Sequence, residues 1–214
     1  AYPASYISLA TDVNGVAHIA FQDGGNNNKA SVKRFNSASF EWEPLGLPGF
    51  SAGIAAYTSI VFDKNNILYI VFRDEANGGK VSVMRYLTEG STWEIVGSAG
   101  FSVGAATHTS IAFDAQNNPY VAYEDEALGS KPVVKRFNVN SSAWEDVGTS
   151  AISSGGAAYT SLAIDDNKVY LAYQDKSLAN KITVKRFLPG NTSWELVGNA
   201  GFSMGTAAYV KLAI

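Results

Sequence analysis

Cysteine is absent from all 214 residues, which excludes disulfide clamps and thiolate metal sites. No apolar run approaches the roughly 20 residues a helix needs to span a bilayer. Charge is sparse, at 16% of residues with a formal net charge of −3. There is no basic surplus to hold nucleic acid or an anionic membrane, so neither is expected as a partner. Histidine occurs twice, and no His or carboxylate set has metal-ligand spacing, so no metal or cofactor is expected. Helical periodicity is missing as well, and the chain is expected to be almost wholly β. It opens at Ala1 without methionine or a signal-peptide pattern, which reads as a mature product or an excised fragment. The compartment is not encoded; richness in Asn, Ser, Thr, Gly and aromatics leans toward an extracellular setting.

What the chain does have is a repeat. Asp23, Asp74, Asp125 and Asp175 recur at spacings of 51, 51 and 50 residues. Asp12, Asp63, Asp114 and Asp165 keep the same beat. So do Arg34, Arg85, Arg136 and Arg186, and Trp42, Trp93, Trp144 and Trp194. A fifth copy begins at Ala207-Ala208-Tyr209 and stops at Ile214. A period near 50 with several strand patterns per copy is the mark of propeller blades.

The second copy shows the pattern most clearly. Tyr57 to Asp63 reads as a first strand, and Lys64-Asn65-Asn66 as its turn. Leu68 to Asp74 is apolar on both faces, as expected of a strand between neighbouring sheets. Lys80 to Tyr86 reads as a third strand and Trp93 to Gly97 as a short fourth. Ser98 to Ala105 then crosses to the next blade. Such a sheet cannot bury two apolar faces alone, and radial stacking supplies a neighbour on each side. All four Trp residues are expected to be buried. Each removes about 150–250 Å² from water, at most roughly 4–6 kcal/mol at about 25 cal/mol per Å². Phe50, Phe101, Ile152 and Phe202 on the crossing segments are expected to plug the seams.

The expected fold is an all-β propeller with four blades and the first strand of a fifth. The blades fall at about 5–55, 56–106, 107–157 and 158–206, with the extra strand at 207–214. The whole chain, 1–214, reads as one propeller domain or part of one. In the third copy the motif runs Thr-Ser-Ile-Ala-Phe-Asp (Thr109 to Asp114), then Pro-Tyr-Val-Ala-Tyr-Glu-Asp (Pro119 to Asp125). Val-Val-Lys-Arg-Phe (Val133 to Phe137) and Trp-Glu-x-Val-Gly (Trp144 to Gly148) complete it. It resembles a bacterial-type β-propeller blade and is broadly similar to Kelch-like and lectin-type propellers. The Gly-Gly Kelch core, the Trp-Asp dipeptide and the sialidase Ser-x-Asp-x-Gly-x-Thr-Trp box are absent, so the resemblance implies a fold and no subfamily.

Each candidate for chemistry has a structural reading beside it. His18 stands where other copies have Tyr69, Tyr120 and Tyr170. His108 stands where they have Tyr6, Tyr57, Tyr159 and Tyr209. Packing is the expected role of both. A Ser-His-Asp triad would need a special serine, but Ser8, Ser59, Ser110 and Ser161 recur in every copy. The strand-end acids Asp23, Asp74, Asp125 and Asp175, with Glu75 and Glu126 adjoining two of them, could serve a glycosidase. An Asp at a strand end also commonly accepts loop N–H groups. Asp12-Val-Asn14-Gly15 lacks the downstream Glu of a calcium loop and reads as a turn. The Lys-Arg pairs Lys33-Arg34, Lys135-Arg136 and Lys185-Arg186 alternate faces, so they form no basic patch. The Arg of each third strand is expected to pair across strands with the Glu after Trp, which is Glu43, Glu94, Glu145 or Glu195. Asn140-Ser-Ser142 and Asn191-Thr-Ser193 match the glycosylation sequon in third-to-fourth-strand turns.

Catalysis needs residues in distinct roles around one centre, whereas copied positions suit repeated weak sites that gain by multivalency. The expectation is a non-enzymatic binding propeller that recognises glycans or other repetitive surface ligands. Asp23, Asp74, Asp125, Asp175, Tyr6, Tyr57, His108 and Tyr159 are its candidate ligand residues. The alternatives are a protein–protein or surface scaffold, and a fragment of a larger propeller enzyme. Because the two ends duplicate one strand, a homodimer completing an eight-bladed ring is a further expectation.

Overall fold

The computed structural model describes residues 2–148 and 152–213. Its fold is a β-propeller: four antiparallel sheets, each of four strands in sequential order. The first sheet holds β1 (Ala4–Thr11), β2 (Ala17–Asp23), β3 (Lys29–Asn36) and β4 (Glu41–Pro44). The second holds β5 (Ala55–Phe62), β6 (Leu68–Asp74), β7 (Lys80–Leu87) and β8 (Thr92–Ile95). The third holds β9 (Ala106–Phe113), β10 (Pro119–Asp125), β11 (Lys131–Asn138) and β12 (Ala143–Asp146). The fourth holds β13 (Ala157–Asp165), β14 (Lys168–Asp175), β15 (Lys181–Phe187) and β16 (Glu195–Leu196). The chain divides into two compact units, 1–101 with the first two blades and 102–214 with the last two.

In the second and third blades the second strand is the driest. Ile70, Val71 and Phe72 are 0–1% exposed in succession, so both faces of β6 are covered. Each such side chain contributes about 1.5–3 kcal/mol on burial. In the first unit Phe50 stacks on Trp93, with centroids 4.4 Å apart and planes 11° from parallel. The Trp93 indole N–H donates to the Leu45 carbonyl at 3.2 Å. In the second unit Trp194 donates to Val147 at 2.8 Å, and Ile152 is buried. Phe50 and Ile152 therefore do plug seams as expected, whereas Phe202 is 56% exposed and covers none. Trp93, Trp144 and Trp194 are 8–9% exposed as expected, but Trp42 is 40% exposed. The expectation fails there for a physical reason: among the described residues no crossing segment lies over Trp42 as Phe50 lies over Trp93.

The expected Arg–Glu cross-strand pairs are present in all four blades. Arg34–Glu43 lies at 3.5 Å, Arg136–Glu145 at 4.0 Å and Arg186–Glu195 at 2.6 Å, and Arg85 bonds Glu94. All are partly exposed, and such pairs contribute under about 1 kcal/mol each. The turn acids behave as expected too. Asp12 accepts from Asn14 N and Val16 N at 2.9 and 2.8 Å, and Asp63 repeats this with Asn65 and Ile67.

The first strand of each blade, its inner strand, carries a β-bulge, and the bulged residue is an aromatic with positive φ. The angles are 52° for Tyr6, 52° for Tyr57, 46° for His108 and 55° for Tyr159. Side chains tie neighbouring inner strands together at the bulge. The Thr58 hydroxyl donates to the Tyr6 carbonyl, and Thr160 to the His108 carbonyl at 2.5 Å. Ser8 accepts from Ile60 N at 3.0 Å, and Ser110 from Leu162 N at 3.1 Å. Residues 207–213 extend the scheme without joining a sheet. Leu212 N donates to Ser161 at 3.0 Å, and the Tyr209 ring lies 5.0 Å from that of Tyr159. Tyr209 also has positive φ, 53°.

Candidate functional site

The strand-end acids are built into the fold. Asp23, Asp74, Asp125 and Asp175 each cap a short 3-10 turn by accepting the N–H two residues on. Asp74 Oδ2 also takes hydrogen bonds from Asn77 and Ser82 at 2.8 Å each. Asp125 accepts from Ala127, Gly104 and Val103 N–H groups at 2.9–3.2 Å. Asp175 accepts from Ser177 and Thr183. These three are 0–4% exposed. Burial works to raise the Asp23 pKa, but hydrogen bonds from Ser31, Asn26 and Gly25 and the charge of Lys33 outweigh it and hold the group below the usual value. Carboxylates so engaged position the crossing segments and leave little capacity for a ligand.

The aromatic candidates come together instead. Within the first unit the Tyr6 and Tyr57 rings lie 4.6 Å apart, tilted by 49°. Within the second, His108 and Tyr159 lie 4.6 Å apart at 56°, and Tyr209 continues the row. Tyr6 is 41% exposed and Tyr209 82%. Each row therefore presents ring faces and edges beside backbone groups of the bulge.

One residue escaped the sequence reading. Glu124 is completely buried in β10. Its Oε2 meets His108 Nδ1 and the Thr107 hydroxyl, each at 2.7 Å, and its Oε1 accepts from Thr160 N at 3.0 Å. The same position holds Gln22 in the first blade and Gln174 in the fourth. Gln22 donates its amide to the Ala55 carbonyl at 2.8 Å, and Gln174 to Ala207. The signal was a carboxylate one residue before the strand-end Asp, in a copy that also swaps Tyr for His. His108 is therefore more than packing: it bonds a buried acid. His18 does match the packing expectation, being 6% exposed, edge-on to Phe62, with Nδ1 3.0 Å from the Val16 carbonyl.

No group of three or more His, Cys, Asp or Glu fit to hold a metal occurs among the described residues. No helix among them is long and apolar enough to cross a membrane.

No protein-family model and no curated protein matches the chain. Solved structures do, and they include family-43 five-bladed β-propeller proteins. One match is a protein of unknown function from Dyadobacter fermentans DSM 18053, with a TM-score of 0.65 and 16% identity over 94% of this chain and 66% of that one. A thermostable family-43 glycoside hydrolase gives 0.61 and 13%, over 96% and 74%. An exo-β-1,3-galactanase from Phanerochaete chrysosporium, solved with β-1,3-galactotriose, gives 0.60 and 14%, over 90% and 49%. The chain spans less than two thirds of the first and third of these. At such identities the likeness shows the fold alone.

Proposed function

We propose that this chain is a non-enzymatic binding propeller that recognises glycans through its inner-strand aromatic rows. The observation that carries the reading is the recurrence of an at least partly exposed aromatic at one positive-φ position in every copy, its ring packed against a neighbouring one. Apolar sugar C–H faces pack on aromatic rings, and hydroxyls find donors and acceptors in backbone and His108. A glycosidase needs two carboxyl groups flanking one bond. Residues 4–11, 55–62 and 106–113 contain no Asp or Glu at all, and Asp165 ends the fourth inner strand away from its aromatic. Near-equivalent sites bind weakly one by one and gain by multivalency.

The activities named for the structural neighbours favour a second reading, a part of a propeller glycoside hydrolase. β-1,3-Galactotriose separates the two. On the binding reading, a glycan array gives a hit that free monosaccharide competes away, Tyr209→Ala weakens it without unfolding, and the triose stays intact. Release of galactose from the triose would favour the hydrolase. An array with no hit would leave the scaffold alternative.

A further inference from the structure

A residue copied in every blade belongs to the blade, so a site proper to one seam shows in what is not copied. In three blades the Arg of the third strand donates to the Tyr hydroxyl across the ladder: Arg85 to Tyr69, Arg136 to Tyr120 and Arg186 to Tyr170. In the first blade His18 stands opposite Arg34. Imidazole is shorter than phenol, and its Nδ1 is engaged 3.0 Å from the Val16 carbonyl. Among the described residues Arg34 keeps Glu43 as its partner, at 3.5 Å. Glu43 is itself held by the Asn36 amide at 2.6 Å. A guanidinium has five N–H donors, so Arg34 has donors to spare.

A second departure lies close by. The first crossing segment carries Leu47-Pro48 where the later copies have Ser98-Ala99, Thr149-Ser150 and Asn199-Ala200. Leu47 is 78% exposed, and Pro48 is exposed too. Both departures line one cleft of about 1500 Å³ between the first two blades, bordered by His18, Arg34, Leu47, Pro48, Tyr86 and Trp93. All of these belong to the first compact unit. The cleft opens on the covered side of the first blade. Ala30 and Val32, on the same face of β3 as Arg34, are buried in one cluster with Ile70 and Phe72 of the second blade. The half-buried Tyr86 ring lies 5.2 Å from that of Trp93, tilted by 58°. A cationic fork therefore stands beside an apolar rim and an aromatic wall.

We propose that this cleft binds a small carboxylate-bearing ligand, with the carboxylate on Arg34 and the body against Leu47, Pro48 and Tyr86. The planar guanidinium matches a carboxylate with two parallel N–H···O bonds. One guanidinium balances one negative charge. Glu43 beside it and Glu89 on the cleft wall oppose a doubly charged phosphate. The ligand takes up the donors that the Tyr hydroxyl engages in the other blades. Its carboxylate belongs either to a uronic acid of a glycan or to a free organic acid. The site is separate from the inner-strand aromatic rows and does not rest on them.

The test is isothermal titration of the whole chain, at low salt, with galacturonate, benzoate and galactose. At least one of the two acids is expected to bind, and galactose to bind about tenfold more weakly or not at all. Tighter binding of galacturonate assigns an acidic sugar; tighter binding of benzoate assigns a free organic acid. His18→Tyr restores the phenol of the repeat and should weaken the acid about tenfold, as should Arg34→Gln, each with unchanged far-UV circular dichroism. Tyr209→Ala alters only the aromatic row and should leave this binding as it is. Absence of binding by both acids at tens of millimolar would overturn the proposal, as would binding that survives both cleft variants. So would inorganic phosphate binding more tightly than either acid. Binding lost in Tyr209→Ala and kept in His18→Tyr would place the ligand on the aromatic row and overturn the cleft.

Discussion

Truncating Trp93 and Trp42 separately tests whether blade joints carry the stability of this fold. Both lie in the first unit, so they report on the same cooperative body. Trp93 is 8% exposed, stacks on Phe50 and donates to Leu45. Trp93→Ala removes the stack, empties a pocket and leaves a carbonyl without its donor; a cost of about 3–5 kcal/mol is expected. Trp42 occupies the same strand position at 40% exposure. The difference is about a third of a tryptophan's roughly 250 Å², or about 80 Å². At about 25 cal/mol per Å² that lowers the cost by about 2 kcal/mol. Trp42→Ala should therefore cost about 1–3 kcal/mol. Urea unfolding followed by far-UV circular dichroism avoids the lost indole fluorescence. Equal losses for the two variants would refute the joint as the source of the difference.

Acid should weaken the first blade through Asp23. Its folded pKa is lowered below the ordinary value of 3.8, so its contribution is full above 3.8 and is lost as pH falls through the folded value. The stability gap between wild type and Asp23→Asn should therefore shrink between about pH 5 and pH 2, and a gap constant over that range would contradict the capping role. The two histidines should respond differently to replacement by the repeated tyrosine. His18→Tyr should be near neutral, whereas His108→Tyr deprives buried Glu124 of a partner and should cost about 1–3 kcal/mol. His108→Asn, which keeps a donor and tolerates positive φ, should lose less. Thermal melts of the three variants decide this, and His108→Tyr matching wild type would remove the significance of the pair.

Repetition made the fold readable. A side chain that recurs with the blade announces its partner by recurring with it, as Arg85 does with Glu94 and Phe50 with Trp93. The roles of repeated polar residues were less readable. Ser8 and Ser110 repeat because each accepts an N–H from the next inner strand, and that contact joins residues 52 apart. Spacing shows that such a serine matters without showing to what. The strand-end acids looked like ligands for the same reason: sequence gives their position but not the N–H groups folded around them. Trp42 failed in the opposite sense. It carries the repeat's residue type, and what distinguishes it from Trp93 is that no ring among the described residues lies over it as Phe50 lies over Trp93. Glu124 was hidden because its partners, Thr107, His108 and Thr160, lie on two other strands.

The bulge joins the fold to the proposed site. A residue with an ordinary side chain at positive φ costs about 1–2 kcal/mol relative to its preferred region. Glycine or asparagine would bear this with less strain, and the turns here use asparagine at Asn27, Asn66, Asn117 and Asn167. The four inner strands use Tyr or His instead, and Tyr209 repeats the choice after the fourth blade. Stacking between neighbouring rings returns about 0.5–1.5 kcal/mol per pair, close to the strain it accompanies. The Thr58 and Thr160 hydroxyls then satisfy the carbonyls that the bulge takes out of the sheet ladder. The stacking energy comes on top of what each ring gains by burial, which at half-buried Tyr57, His108 and Tyr159 is the larger part. The rings are therefore part of the fold's own stability, and on the proposed reading a ligand would meet the ring surface that remains open, most of it at Tyr6 and Tyr209.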